Sequence, residues 1–317
     1  MTADSVVVSG IRKSFGDVIA LRDISFTVAA GEVVGLLGPN GAGKTTMVDI
    51  LSTLTSPDRG QALVAGHDVV AEPAKVRRAI MLTGQQVAVD DMLTGRQNLV
   101  MFGRLLGLTK SAASARADEL LRELDLEDAA NRRVGTYSGG MRRRIDLACG
   151  LIVRPEVAFL DEPTTGLDPR SRQSIWALIR RFRDEGIATL LTTQYLEEAD
   201  ALSDRIVLID RGAIIAEGTA DELKQRTGSG SVEIIPKDPA DVRAAVIALG
   251  ALLPDEHRAA VAADADRIVM PAPNGANSLI EALRRLDSAG IELVDVALRR
   301  PSLDDVFFAL TQEPVMS

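Results

Sequence analysis

Long apolar runs, surplus positive charge and cysteine are all scarce in this 317-residue sequence, and each shortage excludes a class of protein. Stretches such as Val33-Val34-Gly35-Leu36-Leu37 and Leu151-Ile152-Val153 fall well short of the about 18 consecutive apolar residues that span a bilayer. Any membrane role is therefore expected to run through a partner chain. Met1 to Ser5 hold no basic segment leading into an apolar core, so no secretory signal is expected and the cytoplasm is the expected compartment. Acidic residues outnumber basic ones, 45 to 36, for a formal net charge of −9 and a pI near 5.0. A broad nucleic-acid-binding surface would need the opposite balance. The single cysteine, Cys149, can form no intrachain disulfide and has no partner at metal-ligand spacing. Together with Ile145, Ala148 and Ile152 it follows helical spacing, so it reads as a core residue. Internal repeats and low-complexity tracts are also missing, and the one charge block is Arg142-Arg143-Arg144.

What is present suffices for a large domain and a small one: 46% of residues are hydrophobic and the mean hydropathy is +0.10. Val6-Val7-Val8, Phe15-Gly16-Asp17 and Ile24 to Val28 alternate short β-like runs with turns, as an antiparallel β subdomain does. From Glu32 the pattern becomes an apolar strand, a glycine-rich turn and a helix with Met47, Ile50, Leu51 and Leu54 at core spacing. Between Asp90 and Ala130 two helical stripes, Leu99-Phe102-Leu105-Leu106 and Leu120-Leu121-Leu124, predict an inserted helical lobe spanning about 86–150. Strand-like runs return at 157–160, 188–191 and 206–209, separated by helices, as a mostly parallel sheet requires. The flexible composition at 227–231 divides a domain over 1–226 from a second over 231–317. The second reads strand, helix, strand, helix, strand, helix, a small α+β unit.

Three constellations carry chemistry. Gly38-Pro39-Asn40-Gly41-Ala42-Gly43-Lys44-Thr45, continued by Thr46, fits the phosphate-loop pattern and stands between a predicted strand and a predicted helix. Glycines let successive backbone N–H groups curl inward, and the helix dipole adds positive potential for phosphate oxygens. Lys44 would reach the outer phosphates and the Thr45 hydroxyl would ligate Mg²⁺. The apolar strand Val157 to Leu160 ends in Asp161-Glu162. There, Asp161 is the expected Mg²⁺-shell carboxylate and Glu162 the expected general base. The third, Tyr137-Ser138-Gly139-Gly140-Met141, opens a helix whose start presents Ser138 and bare backbone to an anion.

In that third element the sequence resembles the ABC ATPases, whose signature reads Leu-Ser-Gly-Gly-Gln; this chain keeps Ser-Gly-Gly and changes both ends. The resemblance covers about Val6 to Thr219, in the family's order of motifs. It implies an α/β phosphate-loop NTPase fold of the ABC type: a mixed or parallel sheet core, an antiparallel β subdomain and a helical lobe, here with a small C-terminal α+β domain. It implies ATP and Mg²⁺ as ligands. It also implies a homodimer in which Tyr137, Ser138, Gly139 and Gly140 face the nucleotide of the opposite subunit. By the same resemblance Gln85, or its neighbour Gln86, senses Mg²⁺, Asp168 in Gly166-Leu167-Asp168 sits on the loop that signals between subunits, and Phe15 stacks on adenine.

One position departs from the pattern. The family has a histidine after Thr192-Thr193; this chain has Gln194, which can hydrogen-bond the γ-phosphate but cannot become cationic. Thr192-Thr193-Gln194-Tyr195, Thr83-Gly84-Gln85 and the tail segment Pro301 to Phe308 resemble the daunorubicin and doxorubicin resistance branch. That branch implies the ATPase of a bacterial exporter of a hydrophobic drug or complex lipid, held at the cytoplasmic membrane face by separate integral permease subunits. Two other readings stand beside it. One is a nucleotide-gated switch silenced by Gln194. The other is a soluble non-transport ABC protein in translation or DNA repair, which would usually carry a second nucleotide domain or long coiled-coil insertions.

Overall fold

The computed structural model describes residues 4–84, 89–226, 230–253, 267–299 and 301–312. It divides into two units, Met1–Ala220 and Asp221–Ser317.

In the first unit, β1 (Asp4–Phe15) and β2 (Val18–Ala29) form a long antiparallel hairpin turning at Gly16-Asp17. The chain then crosses to β3 (Val33–Leu37), runs through the glycine-rich loop into helix α1 (Lys44–Leu51), and returns as β4 (Arg59–Val64) and β5 (His67–Asp68). Those two strands complete a four-stranded antiparallel sheet in the order β2-β1-β4-β5. After α2 (Pro73–Ala79), β6 (Ile80–Thr83) enters a second sheet. The helical lobe follows with α3 (Gly95–Leu105), α4 (Lys110–Glu123) and α5 (Gly139–Gly150). The chain continues through β7 (Val157–Asp161), α6 (Pro169–Asp184), β8 (Ala188–Thr193), α7 (Leu196–Leu202), β9 (Arg205–Asp210) and β10 (Ala213–Gly218). The second sheet has the order β10-β9-β3-β8-β7-β6, parallel except for β10 at its edge.

Every residue of β3, β7 and β8 is buried, which is why these strands read as continuous apolar runs rather than alternating ones: both faces of the sheet are covered. The two-residue period still operates inside it. Val157 and Phe159 of β7 join the core shared with α1 and the antiparallel sheet, while Ala158 and Leu160 join the core shared with α5 and α6. The carboxyl ends of β3, β8 and β7 lie side by side, the edge where open parallel sheets bind ligands.

Three expected core positions are corrected. Leu54 is 66% exposed, because α1 stops at Leu51 and Thr53 turns the chain with φ 68°. Leu105 and Leu106 are exposed as well. The inner face of α3 is set by Leu99 and Gly103, and a Cβ on Gly103 would come within 2.9 Å of the Ala113 Cβ. Leu105 sits about 200° around the helix from that contact.

In the second unit β11 (Ser231–Pro236) lies between β12 (Ile268–Pro271) and β13 (Leu293–Arg299), antiparallel to both. Val232 and Ile234 point inward and share a core with Val242, Ala245 and Leu249 of helix Val242–Leu249 and with Ala282 and Leu286 of helix Ala276–Ser288. On the other face Glu233 accepts from Arg267 and Arg299, each at 2.9 Å. The helix Ala220–Arg226 leads into this unit, so the division falls at its first residue, ahead of the segment 227–231.

Candidate active site

The loop after β3 needs glycine at two positions for different reasons. At Gly38 a Cβ would meet the Ile209 carbonyl oxygen at 2.2 Å, so the loop can leave the sheet only without a side chain there. At Gly43 the backbone is left-handed, φ 107°, as it starts α1. This geometry buries Lys44, whose Nζ donates to the carbonyls of Gly38 (2.8 Å) and Pro39 (3.1 Å) and stands 3.6 Å from Glu162 Oε1. Burial pushes the Lys44 ammonium below the usual lysine range, against the opposing pull of Glu162 and Asp161.

Thr45 Oγ1 donates to Asp161 Oδ2 at 3.1 Å, and Thr192 Oγ1 donates to Asp161 Oδ1. Asp161 thus ties the ends of β7 and β8 to the first turn of α1. Glu162 is left-handed, φ 47°, a conformation that costs a non-glycine residue of order 1 kcal/mol. It is held there by its own N–H, which is shared between the Thr192 carbonyl (3.1 Å) and hydroxyl (3.0 Å). The turn swings the Glu162 carboxylate toward Lys44, with Thr165 Oγ1 donating to Oε2 at 3.3 Å.

A cleft of about 760 Å³ opens over these groups, within the range of small-molecule sites. Its walls include Asn40, Gly41, Gly43, Lys44, Thr45, Thr46, Glu162, Thr165, Gly166, Leu167 and Gln194, the start of α5 at Gly139, and Arg142 and Arg143. Val18, Ile19 and Ala20 of β2 also line it. Sequence reasoning missed those three: nothing in an alternating hairpin strand says which stretch overhangs a neighbouring loop.

Other expected site residues lie elsewhere. Gln85 and Gln86 fall outside the described residues. Phe15 ends β1 at 53% exposure, with the Lys13 ammonium 5.3 Å from its ring centroid, and does not line the cleft. Ser138 caps α5, accepting from Met141 N at 3.3 Å. Of its two glycines, Gly140 is pressed against α6, where a Cβ would meet Ser171 Oγ at 2.1 Å, while Gly139 faces open space. Asp168 caps α6 and spends both carboxylate oxygens on Ser171.

Tyr137, expected to face the nucleotide of an opposite subunit, has its ring buried in the lobe, and its hydroxyl donates to the Ala129 carbonyl at 2.7 Å. Tyr137→Phe is expected to lower unfolding stability in urea by about 1 kcal/mol, the net worth of one hydrogen bond, since the Ala129 oxygen keeps its second donor, Arg132 N at 2.9 Å, with ATP affinity unchanged.

Behind the cleft, Glu198 of α7 is 1% exposed and accepts from Thr164 Oγ1 (2.6 Å) and Trp176 Nε1 (3.0 Å) through one oxygen.

Among the described residues no three or more His, Cys, Asp or Glu side chains gather at metal-binding distance. The donor set beside Lys44 is a hydroxyl and a carboxylate, Thr45 and Asp161. It fits a hard cation such as Mg²⁺, which keeps most of its ligands as water and phosphate oxygens. The inward-curled loop at the start of α1 fits a polyphosphate.

Fold and cleft together define a phosphate-loop nucleotide-binding protein. The family model for ABC transporters matches residues 21–165. The chain is 68% identical to the doxorubicin resistance ATP-binding protein DrrA of Mycobacterium tuberculosis, across 99% of this chain and 95% of that protein. It is 46% identical to the daunorubicin/doxorubicin resistance ATP-binding protein DrrA of Streptomyces peucetius, across 98% and 93%. Among solved structures, the ATP-binding subunit of an ABC transporter superposes with a TM-score of 0.64 at 28% identity, across 70% of this chain and 92% of that one. A dimeric ATP-binding cassette in a post-hydrolysis state with ADP and Pi gives 0.62 at 25%, across 68% and 98%. The chain belongs to the ATP-binding subunits of the ABC transporter family, on the branch of the daunorubicin and doxorubicin resistance proteins. Members of this family bind and hydrolyse ATP. Among the described residues no helix is long and apolar enough to cross a membrane.

Proposed function

We propose that this chain is the ATPase of a bacterial exporter, a translocase subunit that hydrolyses ATP–Mg²⁺ in the cleft above β3, β8 and β7. Through separate permease subunits at the cytoplasmic membrane face, it drives efflux of a hydrophobic drug of the anthracycline kind or of a complex lipid. The observation that carries the chemistry is the convergence of Lys44, Thr45, Asp161 and Glu162. Two of the compared relatives are named for doxorubicin and daunorubicin resistance, and a third, 36% identical across 98% of this chain, for Nod factor export; these names support the cargo class.

Lys44 gives up its loop carbonyls to hold the outer phosphates, and its loop N–H groups cradle the rest of the chain. Thr45 and Asp161 would hold Mg²⁺, which would supply positive charge to offset that of the phosphates, and Gln85 is proposed to sense it. Glu162 accepts a proton from the attacking water as its oxygen bonds to the γ-phosphorus and the bond to ADP breaks. Gln194 donates to the γ-phosphate. Two copies close over two nucleotides, with Ser138, Gly139 and Gly140 of each facing the γ-phosphate of the other and Asp168 near the shared face. Hydrolysis removes the group both sides grip, so closure is reversed by loss of differential binding.

The test is phosphate release by the full chain with its permease partners. Wild type is expected to exceed the Glu162→Gln control at least tenfold, and to keep that lead whether residue 194 is Gln or, in Gln194→His, His. Should wild type match the control and only Gln194→His turn over, ATP acts as a switch and the ATPase reading fails.

A further inference from the structure

The three arginines at 142–144 go to different places. Arg142 reaches the exposed Asp91 and the Gly135 carbonyl, both at 3.2 Å, and Arg144 the carbonyls of Leu124 and Asp125. Both stay within the helical lobe. Arg143, on the second turn of α5, is buried and leaves the lobe altogether. Its Nε donates to the Pro163 carbonyl at 2.8 Å, Nη1 to the Gly84 carbonyl at 2.7 Å and Nη2 to the Asp161 carbonyl at 3.4 Å. Nη1 also stands 3.4 Å from Asp146 Oδ2, one turn along α5.

These acceptors are not scattered. Asp161 and Pro163 are the residues immediately before and after Glu162, and Gly84 immediately precedes Gln85. Glu162 itself sits in a left-handed conformation that only a surrounding set of bonds can maintain. Thr192 supplies that restraint from the β8 side, through the Glu162 N–H. Arg143 supplies it from the α5 side, through the carbonyls that flank the same residue. A planar guanidinium presents donors in three directions at once and suits this task; a lysine ammonium, a compact point charge, cannot span the same carbonyls.

We propose that Arg143 is a positioning residue for hydrolysis: it ties the backbone on both sides of Glu162, and the root of the Gln85 segment, to the helix that starts at Ser138-Gly139. The seating of α5 thereby sets where the Glu162 carboxylate stands. The inference rests on Glu162 acting as the general base.

Arg143→Lys and Arg143→Gln, each made in the full chain with and without Glu162→Gln, test it by equilibrium ATP binding and steady-state phosphate release. The ATP Kd and KM are expected to stay within about threefold of wild type: Arg143 borders the cleft, but its donors are spent on the Pro163, Gly84 and Asp161 carbonyls, and Lys44 and its loop are untouched. The expected fall in kcat is about 10- to 100-fold, the penalty for a misplaced reacting group. In the Glu162→Gln background the residual rate is expected to change less than twofold, since a residue that acts through Glu162 has nothing left to position. A folded variant with kcat within twofold of wild type overturns the proposal, and so does an equal fractional loss in both backgrounds. Failure of both variants to fold or bind ATP assigns Arg143 to the architecture instead and overturns it too. Wild type no faster than Glu162→Gln is a distinct result, which removes the general base and the proposal with it.

Discussion

Phosphate release by the Glu162→Gln variant is expected to fall about 1,000-fold below wild type, in the middle of the range for loss of a general base, while ATP affinity stays within a few-fold. Glutamine has the shape of glutamate, can keep its N–H on Thr192, and can still accept from Thr165 through its amide oxygen. What it loses is the ability to take a proton from water. Single-turnover hydrolysis with saturating ATP isolates that loss from nucleotide exchange, and a residual rate above a tenth of wild type would remove Glu162 from the role of base. Because the variant still binds ATP and cannot discharge it, it is also expected to accumulate as a closed dimer when ATP is present, visible as a shift in sedimentation.

Lys44→Ala is expected to act one step earlier, weakening ATP binding by about 100-fold or more, the scale of losing charge-assisted bonds to phosphate. It should also weaken the empty protein. Lys44 is buried with both Glu162 and Asp161 near it, and its removal takes the cation from beside these two carboxylates and the Lys44 donor from the Gly38 carbonyl, while the Pro39 carbonyl keeps Ala42 N. The two effects separate in thermal melts: the variant is expected to unfold at a lower temperature than wild type without nucleotide, and to gain little when ATP–Mg²⁺ is added. Drug or lipid export in cells should be lost with binding. Export surviving in Lys44→Ala cells would refute the proposed role of this cleft in transport.

How far the site could be read in advance depended on whether a residue acts through the local chain or through distant packing. The phosphate loop and the Asp161-Glu162 strand end are local: short apolar strands deliver them, and residue order alone places them at the sheet's carboxyl edge. That Asp161 reaches both Thr45 and Thr192 follows only from β8 lying between β3 and β7, a crossover order that no periodicity encodes. Arg143 was hidden differently. In sequence it is the middle of a charged run, and only the seating of α5 against β6 and β7 reveals that it turns inward while its neighbours do not. For Tyr137, proximity to Ser138-Gly139 gives no sign that the helical lobe takes the ring into its core. Leu54 and Leu106 show the limit of counting helical spacing past a helix end, where a turn resets the phase, while Leu105, still in α3, lies on the face turned away from Gly103.

The bond between Trp176 and Glu198 gives the molecule an internal optical gauge. The chain has one tryptophan, so all emission excited at the red edge of its absorption comes from an indole whose N–H rests on Glu198 Oε1. The same oxygen holds Thr164, two residues beyond Glu162, and Glu198 itself lies four residues beyond Gln194. Rearrangement of either segment as nucleotide enters or phosphate leaves changes the field and hydrogen bonding at that ring. Stopped-flow fluorescence of the unlabelled protein is therefore expected to report the first closing and opening of the cleft after mixing with ATP.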